Sequence, residues 1–151
     1  MRDRKERTSF LNLLKKLLTN KMDDDDGNNK NDYFGTWISS DGSWWGQVTI
    51  NASKLVWVDS SGYGFTLEEL TWTPITNPHE PVNITYPKGY KISGKVTDDD
   101  DGYYGLYKAD GTVASVGDIA VQWWYMSNDE GSLAAYSLAD GSGLIGPFFK
   151  H

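Results

Sequence analysis

Cysteine is absent from this 151-residue chain, arginine is absent beyond position 7, and only two histidines occur. The missing thiols exclude a disulfide scaffold, a thiol nucleophile and cysteine-ligated zinc. A chain body with no guanidinium lacks the fork that clamps phosphates and carboxylates, which argues against phosphoryl transfer. No apolar run approaches the roughly 20 residues of a membrane-spanning helix. The net charge of −7 and pI of about 4.7 argue against nucleic acid as a partner. Proline is scarce, five residues against sixteen glycines, as suits a chain of tight turns rather than a proline-rich disordered one. Catalytic groups are equally thin. His151 ends the chain, and His79 sits in the loop-like Asn77-Pro78-His79-Glu80-Pro81. Glu68 and Glu69 point to opposite faces of any strand, and no Gly-x-Ser-x-Gly elbow occurs. The expectation is a protein that is not an enzyme and needs no cofactor.

Charge divides the chain. Residues 1–22 hold seven Lys/Arg against two Asp/Glu, whereas the remainder holds seven against nineteen. Phe10, Leu13, Leu14, Leu17 and Leu18 recur at three- and four-residue spacing, which predicts a basic amphipathic helix over 1–22. Such a helix packs on its own domain, or it contacts a membrane surface or a protein. Lys15 and Lys16 interrupt the continuous apolar core that a secretory signal needs and no small-residue cleavage site follows, so the segment fits such a signal poorly. The acidic, Gly/Asn-rich stretch 23–32 reads as a solvated linker. Residues 33–151 then form a single domain.

From Tyr33 onward the pattern has a period of two. Short β-prone runs cover Tyr33–Ser39, Trp44–Ile50, Lys54–Val58, Tyr63–Thr73, Tyr90–Thr97, Tyr103–Lys108, Asp118–Met126 and Leu133–Leu138. Gly, Asp and Asn turns separate them, and Asp110-Gly111 is the clearest hairpin tip. The proline-bearing stretch from Pro74 to Pro87 is the longest interruption. Eight short sequential strands predict an all-β protein, an eight-stranded up-and-down antiparallel barrel whose closure removes exposed edges.

The first run contains Gly35-Thr36-Trp37, and here the chain resembles the lipocalins and the wider calycin superfamily. The resemblance places Gly35 and Trp37 at the barrel floor and spans Tyr33–Leu138. It implies a lipocalin-like fold with a small-molecule site inside. In that family an arginine of the last strand packs over the floor tryptophan; here Lys150 is the only late basic residue. The family's Thr-Asp-Tyr motif is absent, Thr97-Asp98 being followed by three more aspartates, and so is its C-terminal helix. Avidins, a second calycin branch, are similar at Ile119-Ala120-Val121-Gln122-Trp123, but the polar residues expected to grip a biotin ring do not line up elsewhere.

The aromatics carry the functional expectation. Each Trp doublet, Trp44-Trp45 and Trp123-Trp124, must send one indole to each face of its strand. Alternation sets Trp44, Trp57, Tyr90, Tyr107, Trp123 and Tyr125 inward, with Gln122 and the Tyr hydroxyls to orient a ligand. The leading expectation is a small, mainly apolar ligand in an aromatic-lined interior. Two alternatives stand beside it. Outward Trp45, Trp72 and Trp124 form a stacking platform for carbohydrate or a cell surface, or a filled barrel serves as a protein-interaction domain. Asp98–Asp101 invites a calcium reading, but the EF-hand spacing fails, and solubilising charge explains the run as well. Asn51-Ala52-Ser53 and Asn83-Ile84-Thr85 match the glycosylation pattern by chance in the absence of a secretory signal. Lack of cysteine fits a bacterial origin, and the expected location is exported or at the cell surface.

Overall fold

The computed structural model describes residues 29–40, 43–76, 86–100 and 105–151. The expected helix over 1–22 lies outside the described residues, as does the linker up to Asn28. The remaining linker residues prove to be structured: Lys30–Tyr33 form a 3-10 turn whose first residues are capped by Asn29.

Eight strands follow: β1 (Gly35–Ser39), β2 (Gln47–Ile50), β3 (Lys54–Val58), β4 (Gly64–Pro74), β5 (Lys88–Asp99), β6 (Ile119–Met126), β7 (Ser132–Tyr136) and β8 (Leu144–Lys150). Each pairs antiparallel with the next, and β8 returns to β1 through Trp37↔Lys150, Ile38↔Phe149 and Ser39↔Phe148. The ring is closed, so no strand is left as an edge. One expected strand is replaced. Tyr103–Lys108 supplies only a bridge from Tyr107 to Val113, and the eighth strand is Leu144–Lys150. The Asp110-Gly111 tip forms as expected, with Lys108 N–H donating to Thr112 O at 2.7 Å.

Alternation fills the ring from each strand. Trp37, Val48, Ile50, Leu55, Trp57, Phe65, Leu67, Ile92, Val96, Trp124, Met126, Leu133 and Phe148 all point into one core and are at most 2% exposed. Each buried indole removes about 200 Å² from water, roughly 5 kcal/mol gross at 25 cal/mol/Å². Two irregularities keep the parity inward. On β4 the register slips between Glu68 and Thr71, where Glu69 has φ 55°. This bulge swings Leu70 and Trp72 to the side already held by Phe65 and Leu67. On β8 a second slip around Gly146-Pro147 puts Ile145 and Phe148 on the same side.

Both ends of the barrel are stoppered. Tyr33 is fully buried at the floor, edge-on to Trp72 at 5.8 Å and to Tyr90 at 5.4 Å. Trp37 Nε1 donates to Tyr33 O at 2.9 Å, tying the turn to β1. At the other end Leu106 and Ala114, from the β5–β6 connection, are buried in the core, and Trp45 packs against it. A smaller cluster lies on the outer face of β6 and β7: Tyr86, Tyr125, Ala134 and Tyr136, with Ile75 and Trp123 against them. Beside it Lys88 Nζ meets Glu130 Oε2 at 2.7 Å.

Candidate functional site

The residues expected to line a cavity divide among three environments. Trp57 and Tyr90 face the core, as does Gln122. Trp123 and Tyr125 do not: they belong to the outer cluster, and Trp124 is the inward indole of the doublet. The inside and outside assignment on β6 is therefore reversed. Its physical reason is that the chain around Ile75 and Tyr86 covers the outer face of β6, leaving both faces apolar. Tyr107 is only partly buried and walls a surface cleft, while its neighbour Leu106 turns inward. Trp44 is 39% exposed and Trp45 is the half-buried partner, again the reverse of the expectation. Trp72, expected outside, is inward at the floor. Gly35 and Trp37 lie on β1, with Trp37 fully buried in the core. The Lys150 ammonium lies 4.9 Å from the Trp37 ring centroid.

The inward side chains are in mutual contact: Trp57 with Phe65 at 5.4 Å, Trp124 with Phe148 at 6.0 Å. Among the described residues, those of the core cluster are at most 7% exposed, so they present almost no surface to water. Gln122 is the polar exception. Trp124 Nε1, which can only donate, gives its hydrogen to Gln122 Oε1 at 2.9 Å and thereby fixes the amide's orientation. The amide nitrogen is buried with no acceptor.

On the outside, a cleft of about 420 Å³ opens between the β1–β2 loop and the β3–β4 turn. Four serines (Ser39, Ser40, Ser43 and Ser60) line it with Gln47 and Asp59, over an apolar base of Ile38 and Val58. Local chemistry sets the walls. Asp59 Oδ1 accepts from the N–H groups of Ser61 (2.8 Å) and Tyr63 (3.0 Å), closing the turn. Its Oδ2 is buried with no partner. Ser60 N–H donates to Trp44 O at 3.1 Å, and Trp57 Nε1 donates to Trp45 O at 2.7 Å, which pins the Trp44-Trp45 loop over the cleft's end of the barrel. Gly46 lets the loop pass: a Cβ there would stand 1.9 Å from Val58 O, and its φ is +66°. Sequence reasoning missed Asp59 and the serines because they are scattered over two loops. The available signal was serine recurring at 39, 40 and 43 and again at 60, each in or beside a turn.

The titratable groups with displaced pKa lie away from this cleft. Burial raises the tyrosines of the outer cluster, Tyr125 to about 12, and raises Tyr33 at the floor further. Hydrogen bonds from Thr112 and Ser127 hold Asp110 and Asp129 below the usual carboxylate range. Asp98 and Asp99 end β5, and Asp100 Oδ2 accepts from Gly64 N–H at 3.0 Å. Asn51 Oδ1 accepts from Ser53, making that acceptor pattern a local turn. His79 and Asn83 lie outside the described residues. Among the described residues no group of three His, Cys, Asp or Glu is placed to hold a metal ion.

Compared with protein-family models, curated proteins and solved structures, the chain matches none. Its class is set by its own geometry, a closed eight-stranded antiparallel barrel.

Proposed function

We propose that this chain is a non-enzymatic binding module, an outlying calycin-like barrel that takes a carbohydrate at the cleft beside Trp44. The observation that carries the reading is a cleft walled by hydroxyls beside a loop that exposes the Trp44 indole, with Trp44 O accepting from Ser60 N–H of the cleft wall. Sugars present apolar ring faces and dense hydroxyl edges. An indole serves the first, and Ser, Gln and Asp serve the second. Calycin kinship is supported by the sequential eight-stranded closure, Gly35 and Trp37 on β1, and Lys150 over Trp37. The test is Trp emission during titration with neutral oligosaccharides. The expected result is a saturable shift that Trp44→Ala weakens at least tenfold, the loss of one stacking contact worth about 1.4 kcal/mol. A flat titration at millimolar sugar overturns the reading.

A second reading places a small, mainly apolar ligand inside the barrel, and Gln122 favours it. A buried amide N–H without an acceptor costs about 1–3 kcal/mol, which a ligand oxygen would recover. Such a ligand has to displace packed side chains to enter. It predicts an emission shift with fatty acids or retinoids that depends on Gln122 and not on Trp44.

A further inference from the structure

We infer that residues 1–22 dock, in the same chain, into the surface cleft between the 105–108 segment and the β7–β8 turn. The cleft encloses about 310 Å³ and is walled chiefly by Tyr107, Leu138, Leu144 and Ile145. Leu144 is exposed, and so are Val113, bridged to Tyr107, and Ile119 at the start of β6. Exposed apolar side chains gathered in one region mark a packing or binding surface. The two connections that frame the cleft carry Asp110, Asp118 and Asp140, against the single described cation Lys108. Each carboxylate is held by a local turn, accepting from Thr112, Ser115 and Ser142 N–H respectively. The surface is thus apolar with a fixed acidic surround.

The matching chemistry is in the sequence. Residues 1–22 have a net charge of +5 and an apolar stripe through Phe10, Leu13, Leu14, Leu17 and Leu18. A stripe of this spacing set into an apolar groove is a recurrent docking mode, and flanking Lys and Arg then face the carboxylates. Reach permits it within one chain. Asn29 begins the turn beneath the floor, and residues 23–28 span about 20 Å when extended. The eight residues of β6 measure about 26 Å along the strand, and a 22-residue helix is about 33 Å long. A helix of that length is therefore long enough to reach from the floor to the far end of the barrel.

Because the chain has no cysteine, an introduced pair reports the contact unambiguously. In the full chain, Leu14→Cys with Ser142→Cys is expected to form an intramolecular disulfide at a rate independent of protein concentration. Leu14→Cys with Thr49→Cys, on the exposed side of β2, is expected to form one at least tenfold more slowly. Equal rates overturn the proposal. So do disulfide-linked dimers alone, which assign the cleft to a second copy. Independently, Leu13→Glu with Leu17→Glu in the full chain is expected to speed amide exchange in 105–108 and 137–145 at least fivefold. Unchanged exchange overturns the proposal, as does full-chain binding to anionic vesicles with those amides unaffected by the substitutions.

Discussion

Gln122 illustrates how a single side chain constrains its neighbours. Its carbonyl oxygen serves the indole of Trp124, and its amide nitrogen is buried without a hydrogen-bond partner. Gln122→Leu removes the unpaired donor but also strips Trp124 of its acceptor, so the two effects oppose. The expected change is within about 1 kcal/mol. Trp124→Phe removes indole volume from a fully buried site and leaves the amide unpaired at both ends. It is expected to cost about 3 kcal/mol or more. Urea denaturation of the two variants checks the order. A Gln122→Leu loss as large as that of Trp124→Phe would show that something in solution satisfies the amide.

At the scale of elements, glycine marks where one strand lets another approach. Gly46 and Gly94 make a contrast. A Cβ on Gly94 meets the movable end of Leu70 at 2.6 Å and backbone only at 3.0 Å. On Gly46 the obstruction is the Val58 carbonyl itself, in a left-handed conformation besides. Gly94→Ala is expected to cost about 1–2 kcal/mol and Gly46→Ala more than about 3 kcal/mol, measured by thermal unfolding. Much of the barrel was legible for the same reasons of pattern. Seven of the expected runs overlap strands, because turns and period-two alternation are local signals. β8 was hidden by Gly146-Pro147, which reads as a strand breaker but here sits at a bulge where a ladder bond is lost in any case. The functional side chains were less legible. On β6 the only polar residue, Gln122, turns inward, and the outer face is covered by chain from another connection, so alternation carries no information about direction. At the cleft, Asp59 and Ser43 meet only because two hairpin ends adjoin, a fact of topology rather than spacing.

For the molecule as a whole, alkaline conditions are the sensitive direction. Tyr33, Tyr86, Tyr125 and Tyr136 are held neutral chiefly by burial, with pKa values above the ordinary 10. The unfolded chain releases these protons near pH 10, so above that point the folded state binds more protons than the unfolded one. Their contribution is complete below pH 10 and is lost as pH rises toward about 12, where Tyr125 ionises. Phenolate absorbance followed with circular dichroism is expected to show ionisation of these tyrosines coinciding with unfolding. Gradual ionisation in an intact barrel would contradict the burial.

The pairing of β8 with β1 has a consequence for how the molecule is made. Every other ladder joins neighbours in sequence and can form as the chain lengthens. The seam at Trp37↔Lys150 joins residues more than a hundred positions apart. During synthesis, the free margins of β1 and β7 stay sticky until β8 has left the ribosome. A growing chain is therefore most vulnerable to association with its neighbours in the interval before β8 emerges.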